Sequence, residues 1–378
     1  MKLLFASDSF KGTLSSAQTI DLLGKAAKEI FGHCQWEGIP VADGGEGTAD
    51  AVIAAVRGEK VHVTVHGPLM ETVHAYYGSL DEKRAIIEMA AASGLTLIPE
   101  SQRDPRITTS FGTGEMIKDA LKRGFTDISI AIGGSATNDG GMGCMRALGV
   151  RFLDDKGEEL NGTGEDLIRV SAIDVSGLDP RISHVKLTVM CDVNNPLCGP
   201  DGAAYTFGKQ KGGTPPVLDQ LEKGMENYRN IIMQKFGTNP DEIPGSGAAG
   251  GLGAALCVFL GGQLKSGIET VLDLIDFDSR LEGVSLVVTG EGRADWQSCF
   301  GKVMQGIGQR CKKRGVAAVA LTGSMGPGAE KIYDYGIRSI MTSVNGVMDL
   351  NEAFERAEDL YYQGAIRMFR LISLGMEL

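Results

Sequence analysis

The fold is decided by the stretch KLLFASDSFKGTLSSAQTIDLLGKAAKEIF (residues 2–31). Its first five residues form a short apolar run of β type, and residues 8–12 (DSFKG) have the composition of a loop. Ser15 and Gln18 are spaced as a capping box, and apolar residues recur behind them at helical spacing. Strand, loop and helix in this order predict the opening of an α/β unit.

The same alternation returns at the other end of the chain. From about residue 284 we predict strands at Leu286–Thr289, Val316–Thr322 and Ile337–Thr342, a helix at Lys302–Arg314, and a long amphipathic helix beginning at Asp349 and Glu352. Residues 61–80 differ, because valines alternate with polar residues before a Gly67-Pro68 turn and a second β-rich run follows it. This pattern predicts an antiparallel hairpin and a change of architecture.

These patterns together predict an α/β fold with two domains. The first is a parallel, flavodoxin- or Rossmann-like α/β domain built from both chain ends (1–60 and 284–378). The second is an inserted, mixed α+β domain (61–283).

Composition excludes several classes of protein. The 378 residues carry a net charge of −11, which argues against a nucleic-acid or membrane-surface partner. Seven cysteines form no C-x-x-C pair, which indicates a reducing compartment without a zinc site or a disulfide framework. The sequence shows neither a signal-peptide pattern nor an apolar stretch of ~20 residues, so we expect a soluble, cytoplasmic protein.

Three loops combine glycine with carboxylate: ADGGEGTAD (42–50), GGSATNDGG (133–141) and TGEGRADWQS (289–298). Glycine lets backbone N–H groups approach a ligand, whereas carboxylates in the same loop repel a bare anion. The combination suits an anion that arrives with a cation, and a nucleotide triphosphate with Mg²⁺ is the commonest example. The first and third loops are equally consistent with a tight turn, a helix N-terminus or a local Arg–Asp ion pair. The second, between a strand and a helix, is longer than a turn requires.

Other nucleotide motifs are absent or misplaced. The chain has no P-loop and no protein-kinase signature. Gly245, Gly247 and Gly250 spell G-x-G-x-x-G, but residues 239–244 before them do not resemble a strand. Two alternatives nevertheless stay open on this evidence. One is an NAD-dependent dehydrogenase of a small hydroxy acid, and the other is a non-catalytic hydroxy-acid sensor.

A set of seven blocks resembles the glycerate kinase type I family of bacteria, in that family's order along nearly the whole chain. The blocks are DSFKGTLSS (8–16), PVADGGEGT (40–48), SFGTGE (110–115), IGGSATNDGG (132–141), CDVNNPLCGP (191–200), GSGAAGGLG (245–253) and TGEGRADWQSCFGK (289–302). Ala294 and Trp296 depart from the residues more usual in the family. The resemblance implies a phosphotransferase of glyoxylate and glycerate metabolism that moves the γ-phosphoryl of ATP to D-glycerate with Mg²⁺. It also implies two α/β domains with the active site in the cleft between them, and 2-phosphoglycerate is favoured over 3-phosphoglycerate as the product.

Physical roles can be assigned to residues of these blocks. We expect Lys11 to neutralise ATP phosphates, Arg293 to bind the glycerate carboxylate, and Asp295 to orient or deprotonate the acceptor hydroxyl. Lys302 is able to share the role of Arg293. Magnesium is expected on Asp192 together with Asp43 or Glu46. Further contacts to substrate or nucleotide are expected from Asp8, Ser9, Gly44, Gly45, Gly133, Gly134, Ser135, Asn138, Glu291 and Gln297.

Overall fold

The computed structural model describes residues 1–299 and 301–377, so Phe300 of the last sequence block lies outside the described residues. The chain divides into two compact units. Unit 1 comprises Met1–Asp43, Asp50–Arg57 and Gly267–Leu378, and unit 2 comprises Gly44–Ala49 and Gly58–Ser266.

The described residues form fifteen strands. In chain order they are β1 (Lys2–Phe5), β2 (Gln35–Gly38), β3 (Glu59–His66), β4 (Thr72–Ser79), β5 (Arg84–Glu88), β6 (Asp127–Ala131), β7 (Arg151–Leu153), β8 (Ala172–Asp174), β9 (Lys186–Met190), β10 (Gln263–Lys265), β11 (Leu286–Thr289), β12 (Arg293–Ala294), β13 (Ala317–Thr322), β14 (Ser324–Met325) and β15 (Ile337–Thr342).

The same part of the chain forms thirteen α-helices. They are α1 (Ser16–Phe31), α2 (Thr48–Val56), α3 (Ala90–Ser93), α4 (Phe111–Arg123), α5 (Met142–Ala147), α6 (Ala203–Phe207), α7 (Pro215–Phe236), α8 (Leu252–Leu260), α9 (Gly267–Leu274), α10 (Phe277–Arg280), α11 (Val303–Arg314), α12 (Leu350–Glu355) and α13 (Ala357–Glu377).

Unit 1 is built on a five-stranded parallel sheet in the order β15-β13-β11-β1-β2. If the five strands are numbered 1 to 5 along the chain and read from β2 to β15, their order is 2-1-3-4-5, which is the flavodoxin-like order. The prediction of a parallel, flavodoxin- or Rossmann-like domain from both chain ends is therefore confirmed. The capping box is confirmed as well, since the Ser15 hydroxyl accepts from the N–H of Gln18 at the start of α1.

Both faces of this sheet are covered. Leu3 and Phe5 of β1 belong to a core cluster with residues of α1 and α13, among them Leu23 and Phe369. Leu4 alternates with Leu3 and Phe5, so it points to the opposite face, where it is also fully buried. A parallel sheet with helices on both faces has near-continuous apolar strands, as β1 and β11 do.

Unit 2 contains a six-stranded sheet in the order β10-β9-β6-β5-β4-β3. The first four strands are parallel, and β5-β4-β3 are antiparallel. The hairpin predicted at residues 61–80 is β3 and β4, and the mixed character predicted for the insertion is confirmed. His62 is exposed on β3, and His66, on the same face, pairs with Glu115, so neither forms a helical metal site.

The unit boundaries and one helix differ from the sequence-based description. The sequence predicts that the chain returns from the inserted domain to the first domain at 283/284, whereas the compact units divide at 266/267. Helix α9 belongs to unit 1, where Arg310 of α11 forms ion pairs with Glu269 and Asp273 of α9. The helix expected to run unbroken from Asp349 is interrupted at Arg356, which has non-helical dihedral angles and separates α12 from α13.

No helix among the described residues is long and apolar enough to cross a membrane.

Candidate active site

A cavity of about 480 Å³ lies in unit 1, at the carboxyl edge of its sheet. Loops after all five parallel strands line it, as expected where the carboxyl ends of parallel strands meet. Nine of the residues predicted for the site are gathered here: Asp8, Ser9, Lys11, Asp43, Glu291, Arg293, Asp295, Gln297 and Lys302. Other lining residues were missed by sequence reasoning, above all Leu350 and Phe354 of α12.

Two carboxylates at this edge lie close enough to repel each other, and they follow two neighbouring strands. Asp8 follows β1 and Asp43 follows β2. Burial, together with the negative charge of Asp43, raises the pKa of Asp8 to about 6. The N–H of Ser9 donates to Asp8 Oδ1 at 2.6 Å and partly offsets that rise. A cation placed between the two carboxylates would relieve their repulsion.

Glu291 is the most buried carboxylate in the loop after β11, with 7% of its surface exposed. The Lys302 ammonium lies 3.9 Å from Glu291 Oε2. Burial nevertheless dominates and raises the pKa of Glu291 to about 7. The cavity therefore holds a carboxyl group that exchanges its proton near neutral pH.

This burial has a measurable effect on stability. Glu291 has a folded-state pKa of about 7 against an ordinary value of 4.5, so the native state loses stability as pH rises through that interval. Glu291→Gln should remove this penalty and raise Tm by a few degrees at pH 8.5, with no gain at pH 4.5. Calorimetry at both pH values checks this, with the exposed Glu282→Gln as control. An equal change in Tm at the two pH values would contradict the assignment.

Arg293 and Asp295 form a pair at the rim of the cavity. Arg293 belongs to β12, which pairs with β14, and its side chain is 63% exposed. Arg293 Nε lies 3.6 Å from Asp295 Oδ2, while Asp295 Oδ1 accepts from the N–H of Gln297 at 2.9 Å. Gly326 keeps this space open, because a Cβ there would come within 2.9 Å of Arg293 Nη2. The pair thus offers an exposed guanidinium beside a carboxylate that the backbone holds in place.

The N-terminus of α11 also opens on the cavity. Lys302 is the N-cap residue of this 12-residue helix and makes no side-chain capping hydrogen bond. Lys302 therefore brings an ammonium group and the positive end of a helix dipole to the border of the cavity. Together with Lys11, they make one part of the cavity suitable for phosphate.

The other predicted residues lie in unit 2. In the loop before α2, the N–H of Gly44 donates to Thr48 Oγ1, and those of Gly47 and Ala49 donate to the carboxylate of Glu88. Glu88 therefore already occupies the N-terminus of α2, so these N–H groups are engaged within the protein. Gly45 lies close to Gly133, and Glu46 is exposed.

The loop 133–141 is held by a lysine that sequence reasoning missed. Lys211 is buried, and its ammonium donates to Ser135 Oγ at 2.8 Å and to the carbonyl of Thr137 at 2.6 Å. Burial lowers the pKa of Lys211 to about 7. Asn138 is fully buried with its amide unpartnered, whereas Gly133 and Gly134 are exposed. No sequence pattern distinguishes Lys211 from neighbouring Lys209, which is exposed. The burial of Lys211 therefore could not be predicted.

Magnesium was expected on Asp192 with Asp43 or Glu46. Asp192 is exposed in the loop after β9 of unit 2. Within residues 1–299 and 301–377, no three histidine, cysteine, aspartate or glutamate side chains converge into a metal site. A preformed protein cage is thus absent from this part of the chain, although one or two carboxylates suffice when substrate phosphates supply the other ligands.

Comparison with known proteins identifies the family. The glycerate kinase family model matches residues 3–373. The chain belongs to the glycerate kinase family. It is 43% identical over 377 residues to the glycerate 2-kinase of Escherichia coli (strain K12), covering 100% of this chain and 99% of that one. It is 42% identical to the glycerate kinase of Bacillus cereus (strain ATCC 10987 / NRS 248), with 95% and 94% covered.

A solved structure shows the same fold. The crystal structure of a candidate glycerate kinase 2 from Salmonella typhimurium LT2 matches with a TM-score of 0.91 and 40% identity over 100% of both chains. The resemblance recognised from the seven sequence blocks is thereby confirmed. The protein is a kinase, and the reaction is the phosphorylation of glycerate. The two departures from the family pattern, Ala294 and Trp296, do not line the unit 1 cavity.

The dinucleotide motif of this kinase is a packing element. The segment before Gly245 contains a 3₁₀ turn, Pro240–Glu242, and no strand. A Cβ at Gly247 would lie 2.1 Å from the carbonyl of Pro196, and one at Gly250 would lie 2.0 Å from that of Thr137. These glycines allow backbones to pack closely and leave no space for a pyrophosphate, so the dehydrogenase alternative loses its only support.

A matched pair of substitutions tests this interpretation. Gly250 and Gly237 have nearly equal φ values of 66° and 69°, but nothing lies within 4 Å of a Cβ built at Gly237. Gly237→Ala should cost about 1–2 kcal/mol for the left-handed conformation alone. Gly250→Ala should cost roughly 1–3 kcal/mol more, because the Cβ also meets the carbonyl of Thr137. Urea unfolding of both variants gives the comparison, and equal costs would argue against close packing at Gly250.

Proposed function

We propose that the protein transfers the γ-phosphoryl of ATP to the 2-hydroxyl of D-glycerate, with Mg²⁺, in the cavity of unit 1. The observation that carries the proposal is the convergence of Arg293, Asp295, Lys11 and Lys302 on one cavity at the carboxyl edge of a parallel sheet. Phosphoryl transfer needs positioning and charge neutralisation more than covalent chemistry, and these residues supply both.

Arg293 is the proposed carboxylate receptor. Its exposed guanidinium offers a planar fork of N–H donors that matches a carboxylate with two parallel hydrogen bonds. Asp295 is the proposed partner of the acceptor hydroxyl, from which it accepts a hydrogen bond and, as the P–O bond forms, the proton. Its backbone contact with Gln297 fixes its orientation in advance.

The separation of these two side chains supports the 2-hydroxyl. Arg293 Nε and Asp295 Oδ2 are 3.6 Å apart. A hydroxyl that contacts Asp295 must therefore be attached close to the glycerate carboxylate that Arg293 binds. In glycerate, the hydroxyl on the carbon next to the carboxylate is the 2-hydroxyl. The name of the Escherichia coli relative, glycerate 2-kinase, supports the same position.

Lys11 and Lys302 are proposed to bind the phosphates, with the N-terminus of α11 behind Lys302. Asp8 and Asp43 fit a magnesium ion, because their mutual repulsion in a partly buried place favours a cation there. When bound, Mg²⁺ supplies neutralisation of charge on the phosphate oxygens. This assignment keeps Asp43 from the sequence-based prediction and adds Asp8. The roles predicted for Asp192, Glu46 and the loop 133–141 stay predictions.

Product identity tests the proposal. The protein is incubated with ATP, Mg²⁺ and D-glycerate, and enolase is added without phosphoglycerate mutase. Enolase consumes 2-phosphoglycerate but not 3-phosphoglycerate, so phosphoenolpyruvate should appear at the rate of ADP release. Phosphoenolpyruvate that appears only after the mutase is added would reassign the hydroxyl. Absence of ADP, or turnover of NAD(H), would overturn the proposed donor.

A further inference from the structure

The unit 1 cavity has an apolar wall that does not match the polar groups of glycerate. Leu350, Ala353 and Phe354 of α12, with Val344 after β15 and Leu360 of α13, line the side formed by the C-terminal helices. Glycerate has three carbons and three polar groups, and phosphates have no apolar surface. The wall therefore exceeds what the acceptor and the transferred group require.

The α12 part of this wall is solvent-exposed despite its composition. Phe354 is 47% exposed and Leu350 is 67% exposed. Helix α12 ends at Arg356, before α13 begins, and Phe354 lines the cavity. Exposed apolar side chains gathered in a concave surface are typical of ligand-binding sites.

The wall begins where the proposed phosphate site ends. A Cβ placed at Gly12 would lie 3.8 Å from Phe354 Cε2, so the ring packs over the residue next to Lys11. The loop beneath is firmly held, because Phe10 contacts Tyr361 edge to face with ring centroids 5.1 Å apart. A ligand bound to Lys11 through phosphate thus reaches the apolar wall with its remaining part.

We propose that this wall binds the purine base of the nucleotide, with the base packed against Phe354 and Leu350. A purine has two apolar faces and polar edges, and the wall offers an aromatic ring and aliphatic side chains with Ser324 and Ser343 in the same cavity. The inference rests on the proposed function, because it requires a nucleotide as the phosphoryl donor. It adds the place of the base and the residues that recognise it.

Substitution of Phe354 separates base recognition from phosphate recognition. Phe354→Ala should raise the KM for ATP and the Kd of MgATP roughly tenfold, with kcat and the KM for glycerate changed less than twofold. The Kd of magnesium tripolyphosphate, which has no base, should stay within twofold. Phe354→Trp should retain the affinity for ATP. Leu371→Ala serves as the matched control, since Leu371 is 62% exposed on α13 outside the cavity.

The possible results are distinguishable. If the wild-type protein does not use ATP, the proposed function fails. If it uses ATP and Phe354→Ala leaves its KM unchanged, or weakens tripolyphosphate equally, the base site alone is overturned. A Phe354→Ala variant that alters sedimentation but not the KM for ATP would assign the wall to a second copy of the chain and would also overturn the inference.

Discussion

Asp295→Asn is expected to lower kcat for glycerate phosphorylation by roughly 10²–10⁴, while MgATP still binds. Asparagine keeps the shape of the side chain and an oxygen to accept from the N–H of Gln297, so the loop should stay in place. It cannot accept the proton of the acceptor hydroxyl, and the loss should therefore appear in kcat. Steady-state kinetics and calorimetric titration with MgATP give the two quantities.

Asp21→Asn is the matched control for this change. Asp21 lies on α1 of the same unit, 62% exposed and outside the cavity, and forms an ion pair with Lys25. Its kinetics should be those of the wild-type protein. If Asp295→Asn retains near-normal kcat, the proton acceptor is another group, and Asp8 or Glu291 becomes the first candidate.

Arg293→Lys is expected to raise the KM for glycerate about 10- to 100-fold, with a much smaller effect on the KM for ATP. Lysine keeps the charge but loses the planar fork, so one of two charge-assisted hydrogen bonds to the carboxylate is lost, a cost of about 1.5–3 kcal/mol. Kinetics with glycerate varied at saturating ATP measure the effect.

Arg314→Lys, on α11 and outside the cavity, controls for the exchange of arginine for lysine. It should leave both KM values unchanged. A larger rise in the KM for ATP than in that for glycerate would place Arg293 on the phosphates instead of the carboxylate.

The architecture of unit 1 was largely predictable from sequence. Its strands β1 and β11 are buried on both faces and are therefore short apolar runs, and α1 carries its own capping box at Ser15 and Gln18. Because carboxyl ends of parallel strands meet at one edge, residues as far apart in sequence as Lys11 and Arg293 could be assigned to one site. The cavity gathers nine such residues.

Two of the features that sequence reasoning missed involve contacts between distant segments of the chain. The buried ammonium of Lys211 is fixed by partners 74 and 76 residues away, and no local pattern marks it. Helix α12 ends at Arg356 where one unbroken helix from Asp349 was expected, and Phe354 is 47% exposed. The compact units divide before α9, and the contacts of Arg310 that join α9 to α11 span 37 and 41 residues. For Lys211 and for α9, the contacts join distant segments of the chain.

Glycerate and the nucleotide are proposed to react in the cavity of unit 1. A crystal structure of the protein with D-glycerate, Mg²⁺ and a non-hydrolysable ATP analogue tests it most directly. We predict the glycerate carboxylate on Arg293, its 2-hydroxyl beside Asp295, and phosphate density at Lys11 and Lys302. Ligand density away from these residues, in crystals of protein that is active in solution, would contradict the account.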